Sequence, residues 1–133
     1  MRIVGFTFLV VLALIGLFGL GLFGVAHFEN PGSSFQTYEQ LQASGLIERG
    51  WLPDHLPKSA TQIEESHDID TNEGSAYFKY QVGDTTRADQ GCQLIQQTDN
   101  GRKYLCPPLG LQTAIVVLRN DGTGYVSMHA DAI

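Results

Sequence analysis

Positive charge is scarce in this chain. Eight Lys and Arg residues stand against fourteen Asp and Glu in 133 residues, and one of the eight, Arg2, precedes every acid. The other seven are Arg49, Lys58, Lys79, Arg87, Arg102, Lys103 and Arg119, scattered through a stretch where they face all fourteen acids, a net charge of −7. Phosphate binding needs a clustered basic face, so this pattern argues against nucleic acid as a partner. Cysteine is nearly absent: Cys92 and Cys106 are the only two, without the Cys-x-x-Cys spacing of a redox motif. No glycine-rich phosphate loop occurs, and no nucleophile elbow surrounds Ser59, Ser66 or Ser127. No pair of histidines has the His-Glu-x-x-His spacing of a zinc helix. These absences weigh against an enzyme, and they imply no cofactor.

What the chain does have is an uncharged apolar and glycine run from Ile3 to Ala26. Twenty-four helical residues rise roughly 36 Å, against a hydrocarbon core of about 30 Å, which predicts a transmembrane segment. Arg2 before the run, with Glu29, Glu39 and Glu48 after it, predicts a cytoplasmic N-terminus and an exported C-terminal domain. The expected location is thus the bacterial inner membrane, crossed once, with the membrane a partner through residues 3–26. The alternative is cleavage after Gly24-Val25-Ala26, which would leave a secreted or periplasmic protein. The glycines of the run lack the four-residue spacing of a helix-dimer motif.

Residues 1–27 therefore read as anchor or signal, 28–34 as linker and 35–133 as an extracytoplasmic domain. Asn30-Pro31-Gly32-Ser33-Ser34 is rich in breakers, and Ser33 with Gln36, or Thr37 with Gln40, matches a helix capping box. Phe35, Tyr38 and Leu41 fall near helical spacing, while Gly45 and Gly50 can end successive turns. Next comes a connector, Gly50 to Ala60, whose Pro53 and Pro57 exclude both a regular helix and a central strand. Trp51 and Leu56 are each worth roughly 1.5 to 3 kcal/mol when buried, so the connector is expected to lie across the core. Trp51, Pro53, His55 and Pro57 are the candidate binding surface, with anchoring of the loop by Trp51 as the plainer alternative.

The run from Gly50 to Gly74 resembles a pattern in small bacterial envelope proteins that carry an apolar N-terminus and a short domain. Its most specific part is Trp-x-Pro-x-x-Leu-Pro-x-Ser-Ala, here Trp51 to Ala60. The resemblance implies a bacterial, extracytoplasmic domain and carries over no catalytic residue.

From Thr61 the apolar period changes to two. Ile63, Glu65, His67 and Ile69 share one face of a strand, and Phe78, Tyr80 and Val82 share one face of the next, with Asp70 to Gly74 as the turn. Gly83 to Gly91 reads as an exposed loop. Cys92 to Gln97 and Arg102 to Cys106 form a second hairpin around Asp99-Asn100-Gly101. Thr113 to Leu118, apolar on both faces, predicts a buried central strand that returns through Tyr125 to Met128. The fold class is α+β: a transmembrane helix, then one short helix packed on an antiparallel sheet of about five or six strands.

Three constellations remain. Cys92 and Cys106, on partner strands, predict a disulfide; an Asn100-Gly101 turn would set Cys106 against Ile95, so the bridge requires a bulge or a longer loop. Asp68-x-Asp70-x-Asn72 resembles the opening of a calcium loop, but Glu73 replaces the required Gly and Lys79 the required Glu, so Asp68, Asp70 and Glu73 are weak metal candidates. His55, His67 and His129, with Glu65 and Asp131, would make a metal site only if the fold gathered them. The expected function is a non-enzymatic binding module of the envelope with a protein partner. Two alternatives stay open: a metal-dependent or hydrolytic envelope enzyme, and an accessory subunit of a larger membrane complex.

Overall fold

A computed structural model describes residues 10–17, 32–109 and 112–130. The chain divides into two compact units, Met1–Pro31 and Gly32–Ile133. In the first, residues 10–17 are helical, eight residues or about 12 Å. Among the described residues no helix is long and apolar enough to cross a membrane. The expected single-pass inner-membrane segment over residues 3–26 is corrected accordingly, and with it the localisation built on that segment. Residues 3–9 and 18–26, including the Gly24-Val25-Ala26 cleavage sequence, lie outside the described residues.

The second unit is organised by one antiparallel sheet of seven strands. In chain order its elements are β1 (Gly32–Thr37), α1 (Tyr38–Ala43), β2 (Thr61–Asp68), β3 (Glu73–Lys79), α2 (Thr86–Gly91), β4 (Gln93–Thr98), β5 (Gly101–Leu109), β6 (Gln112–Arg119) and β7 (Thr123–Ala130). The spatial order is β1-β2-β3-β7-β6-β5-β4. The chain thus builds one meander, crosses to the far edge through α2, and returns strand by strand until β7 closes against β3. This corrects the expected architecture: seven strands replace five or six, two six-residue helices stand in the sheet unit where one packed helix was expected, and the helix described in the first unit covers residues 10–17.

Two elements account for the difference in the sheet domain. Ser33 does not cap a helix; residues 32–34, expected to end a linker, open β1, which pairs Phe35 with Ile63 of β2. The second capping box is the one in use. Thr37 is the N-cap of α1, and its hydroxyl accepts the Gln40 N–H at 3.4 Å while Gln40 Oε1 accepts the Gln36 N–H at 2.9 Å. The stretch expected as an exposed loop contains α2, which buries Ala88.

Alternation along the strands gives the sheet two unlike faces. On the inner face one row runs Glu65, Ala76, Val126, Val116, Tyr104 and Leu94 across six strands, and its first five members are buried. The core cluster joins this face to Tyr38 and Leu41 of α1, to Leu46, Leu52, Leu56 and Ala60, and to Ala88 of α2. On the outer face Ile115 and Val117 of β6 are only half-buried, so the strand expected to be buried on both sides is buried on one.

Within the inner layer Gly124 of β7 lies opposite Phe78 of β3, and a Cβ at Gly124 would stand 2.1 Å from Phe78 Cε2. The ring occupies the space that the missing side chain leaves. Gly124→Ala should therefore cost about 1 to 3 kcal/mol through overpacking, read from urea midpoints, with much of the loss recovered in Gly124→Ala, Phe78→Leu. Equal midpoints for wild type and Gly124→Ala would contradict this packing.

Candidate functional site

The connector owes its path to backbone chemistry. Gly45 and Gly50 adopt φ of +76° and +83°, ending the turns after α1, and the Trp51 N–H closes the second by donating to the Leu46 carbonyl at 3.0 Å. From there Leu52, Pro53, Leu56 and Pro57 are fully buried beneath the sheet's inner face. Of the expected binding surface, Pro53 and Pro57 are buried in the core. Trp51 and His55, both half-buried, sit at different places. Trp51 stacks on His67 of β2 with ring centroids 4.2 Å apart and planes at 28°. His55 lies against Gly91 at the end of α2, where a Cβ would come within 2.0 Å of its ring.

A polar node clamps the connector at its middle. Tyr38 donates its hydroxyl to Asp54 Oδ1 at 2.7 Å, and Arg87 Nη2 donates to the same oxygen at 2.7 Å. The Arg87 guanidinium also lies 5.0 Å from the Tyr38 ring centroid. Burial opposes ionisation of Asp54, but hydrogen bonds from Tyr38 and Arg87 and the guanidinium charge together hold its carboxyl below the usual range. Burial likewise pushes the Tyr38 phenol up. α1, the connector and α2 are thereby joined through three side chains, none of which sequence spacing would pair. A parallel contact fixes α2 to the sheet: Tyr104 of β5 donates to Asp89 at 2.7 Å.

The second polar pair is Glu65 and His67, adjacent on the inner face of β2 as alternation requires. His67 Nδ1 and Glu65 Oε1 are 2.6 Å apart, and the Glu65 side chain is fully enclosed. Its other oxygen, Oε2, is buried without a partner. Burial raises the Glu65 carboxyl, opposed by the hydrogen bond and charge of His67 and by the charge of Arg49. Trp51, stacked on His67, covers the pair.

The calcium candidates act as a turn. Asp68 Oδ1 accepts the N–H groups of Asp70 and Thr71 at 2.8 and 3.2 Å, an Asx-type closure. Asp70 and Glu73 are exposed, and Glu73 lies 3.6 Å from His129. The metal set imagined from three histidines and two acids is dispersed: His67 stays with Glu65, His129 with Glu73 and His55 beside α2, while Asp131 lies outside the described residues. Among the described residues, the metal-capable group whose ligand atoms do converge is His55, Cys92 and Cys106, within 4.8 Å of one another. The two cysteines form a disulfide. Their pairing follows from the hairpin register, since the turn falls at Asp99-Asn100 with Gly101 opposite Thr98, and a bulge at Ile95 advances the register by one. Gln93 then faces Leu105, which leaves Cys92 opposite Cys106. A closed loop of this size contributes about 3 kcal/mol in the chain-entropy model.

Residues 29–79 match a family model described as the YbbD head domain, a stretch that includes β1, α1, the connector, β2 and β3. The match supports likeness to a family of small bacterial proteins, as the Gly50 to Gly74 run led one to expect, without singling out the Trp-x-Pro-x-x-Leu-Pro segment. No curated protein and no solved structure matches the chain.

Because burial raises the carboxyl of Glu65 above its ordinary 4.5, the folded state holds that proton more tightly than the unfolded chain. The stability linked to it is present at pH below about 4.5 and is lost as pH rises through the folded value. Melting temperatures of wild type and Glu65→Gln measured from pH 4 to 8 should diverge, the variant gaining relative to wild type as pH rises. Parallel curves would show that Glu65 is not the group responsible.

Proposed function

We propose that the domain is a non-enzymatic binding module that takes an acidic protein segment across the outer face of its sheet. The observation that carries this reading is one cross-strand row: Glu64, Tyr77, Tyr125, Val117, Lys103 and Gln96, contributed by six successive strands. Tyr77 is 60% exposed, and its ring lies 4.7 Å from that of Tyr125. An exposed tyrosine already packed against a half-buried one offers a large contact area at little entropic cost. Beside them, alternation brings Lys79, Lys103 and Arg119 to the same face. Two shallow depressions meet at Arg119, one lined by Tyr77, Lys79 and Thr123, the other by Gln96, Lys103 and Val117. An otherwise acidic chain thus collects three of its few cations around an aromatic pair.

This supports recognition of carboxylate-bearing side chains flanking an apolar or aromatic one, and it assigns the role to side chains that keep their exposure. In the connector, Leu52, Pro53, Leu56 and Pro57 are buried in the core. The likeness to a head domain fits a binding role and adds no activity of its own. A photo-crosslinking residue in place of Tyr77 should capture one protein from a bacterial extract, and purified partner should bind with an affinity that falls as salt rises. Tyr77→Ala, Tyr125→Ala should weaken that binding by about 2 kcal/mol or more, roughly thirtyfold, at unchanged melting temperature. Undiminished binding by this variant would sink the assignment.

A further inference from the structure

We propose that the Cys92–Cys106 bridge masks a thiophilic metal site, which opens when the bridge is reduced and binds one zinc-class ion through His55, Cys92 and Cys106. The ligand atoms of these three side chains already lie within 4.8 Å of one another, although they come from the connector, the end of α2 and β5. Three separate features bring them there. The bulge at Ile95 sets the cysteines across from each other. Gly91 has no side chain, and any Cβ at that position would collide with the imidazole, 2.0 Å from Cδ2 and 2.3 Å from Nε2. The clamp of Asp54 by Tyr38 and Arg87 fixes the residue immediately before His55.

The imidazole itself has an unspent donor or acceptor: His55 Nδ1 is buried and has no hydrogen-bond partner. A buried ring nitrogen left unpaired costs stability, so a histidine chosen only for packing would be better replaced by an apolar residue. Histidine beside two sulfurs has a ligating use. Imidazole and thiolate together suit zinc, and a set of two Cys and one His leaves the fourth tetrahedral position for water or an added ligand. Cys92 is half-buried, while Cys106 is buried.

The chemistry balances with a dithiol as reductant. Its first thiolate attacks Cys92 Sγ, the S–S bond breaks, and Cys106 leaves as a thiolate that takes a proton. The second reductant thiol then displaces Cys92, so that two electrons and two protons pass to the protein and the reductant becomes a cyclic disulfide. Binding of a divalent ion releases the two thiol protons to solvent. Side-chain rotation at the two cysteines separates the sulfurs to roughly 3.8 Å, as tetrahedral bonds of about 2.3 Å require. Loss of the disulfide cross-link is then offset by a metal cross-link between the same strands, now extended to the connector.

The test uses the full chain, oxidised or reduced with a water-soluble phosphine that does not compete for zinc. Zinc is titrated against a chromophoric chelator, and near-ultraviolet circular dichroism of Trp51 reports the fold. The reduced wild type should bind one zinc per chain with a native spectrum, and cobalt in its place should show thiolate-to-metal charge transfer. The oxidised chain and the Cys92→Ser, Cys106→Ser variant should bind none at that site. His55→Ala should bind roughly tenfold more weakly or worse, and Gly91→Ala should weaken binding by displacing the ring while every donor remains. The proposal is overturned if the reduced chain takes up no zinc, if His55→Ala binds as tightly as wild type, if the oxidised chain binds equally, or if zinc binds only to a chain that has lost the native spectrum.

Discussion

A single sheet has two faces, and the described residues of the second unit cover only one of them. That constraint governs the rest of the structure. Two helices of six residues cannot shield seven strands, so the connector after α1 completes the layer, laying Leu52, Pro53, Leu56 and Pro57 against the inner face. Each buried leucine is worth roughly 1.5 to 3 kcal/mol, enough to hold a segment that makes no regular hydrogen-bonded structure. Proline suits this use because it leaves one fewer N–H to satisfy in the interior. The polar node of Tyr38, Asp54 and Arg87 then fixes the direction of a segment whose apolar contacts alone would let it slide.

The same asymmetry separates structure from candidate function. Residues that the connector presents inward are committed to the core, and the outer face keeps Tyr77, Tyr125, Lys79, Lys103 and Arg119 available. Where the connector passes the ends of the inner layer it brings two histidines into unusual company. At one end Trp51 covers His67 and the enclosed Glu65; at the other His55 meets the disulfide. A buried carboxylate oxygen and a buried ring nitrogen without partners are both costly in a small domain, and they occur at these two places among the described residues.

Much of the sheet could be read from the sequence, because strand chemistry is local. The period of two from Ile63 to His67 and the apolar run of β6 became strands, and the turn expected over Asp70 to Gly74 falls at residues 69–72, with Glu73 and Gly74 opening β3. The cysteine pairing was legible but its register was not: the turn falls at Asp99-Asn100 in place of Asn100-Gly101, and a bulge at Ile95 supplies the remaining shift. What escaped was set by tertiary context. β1 is a polar, glycine- and serine-rich edge strand that exists because β2 offers it a partner, and nothing in Gly-Ser-Ser-Phe-Gln-Thr announces that. α2 shows one buried side chain, Ala88, too few for a helical period. The prolines of the connector looked like a recognition surface because local chemistry gives their conformation and not their burial. The apolar run of the first unit shows the opposite failure: length and hydropathy predicted a spanning helix, whereas the helix described there covers residues 10–17. The outer-face row depends on register across six strands, so no pattern within one strand could reveal it.

The central claim, that the sheet is covered on one face and open on the other, is tested most directly by the reactivity of individual tyrosines. Nitration of the native protein followed by peptide mass spectrometry reads each ring separately. The account predicts rapid modification of Tyr77 and slower modification of Tyr125, with Tyr38 and Tyr104 protected until the protein unfolds. Protection of Tyr77 together with ready modification of Tyr104 would contradict it.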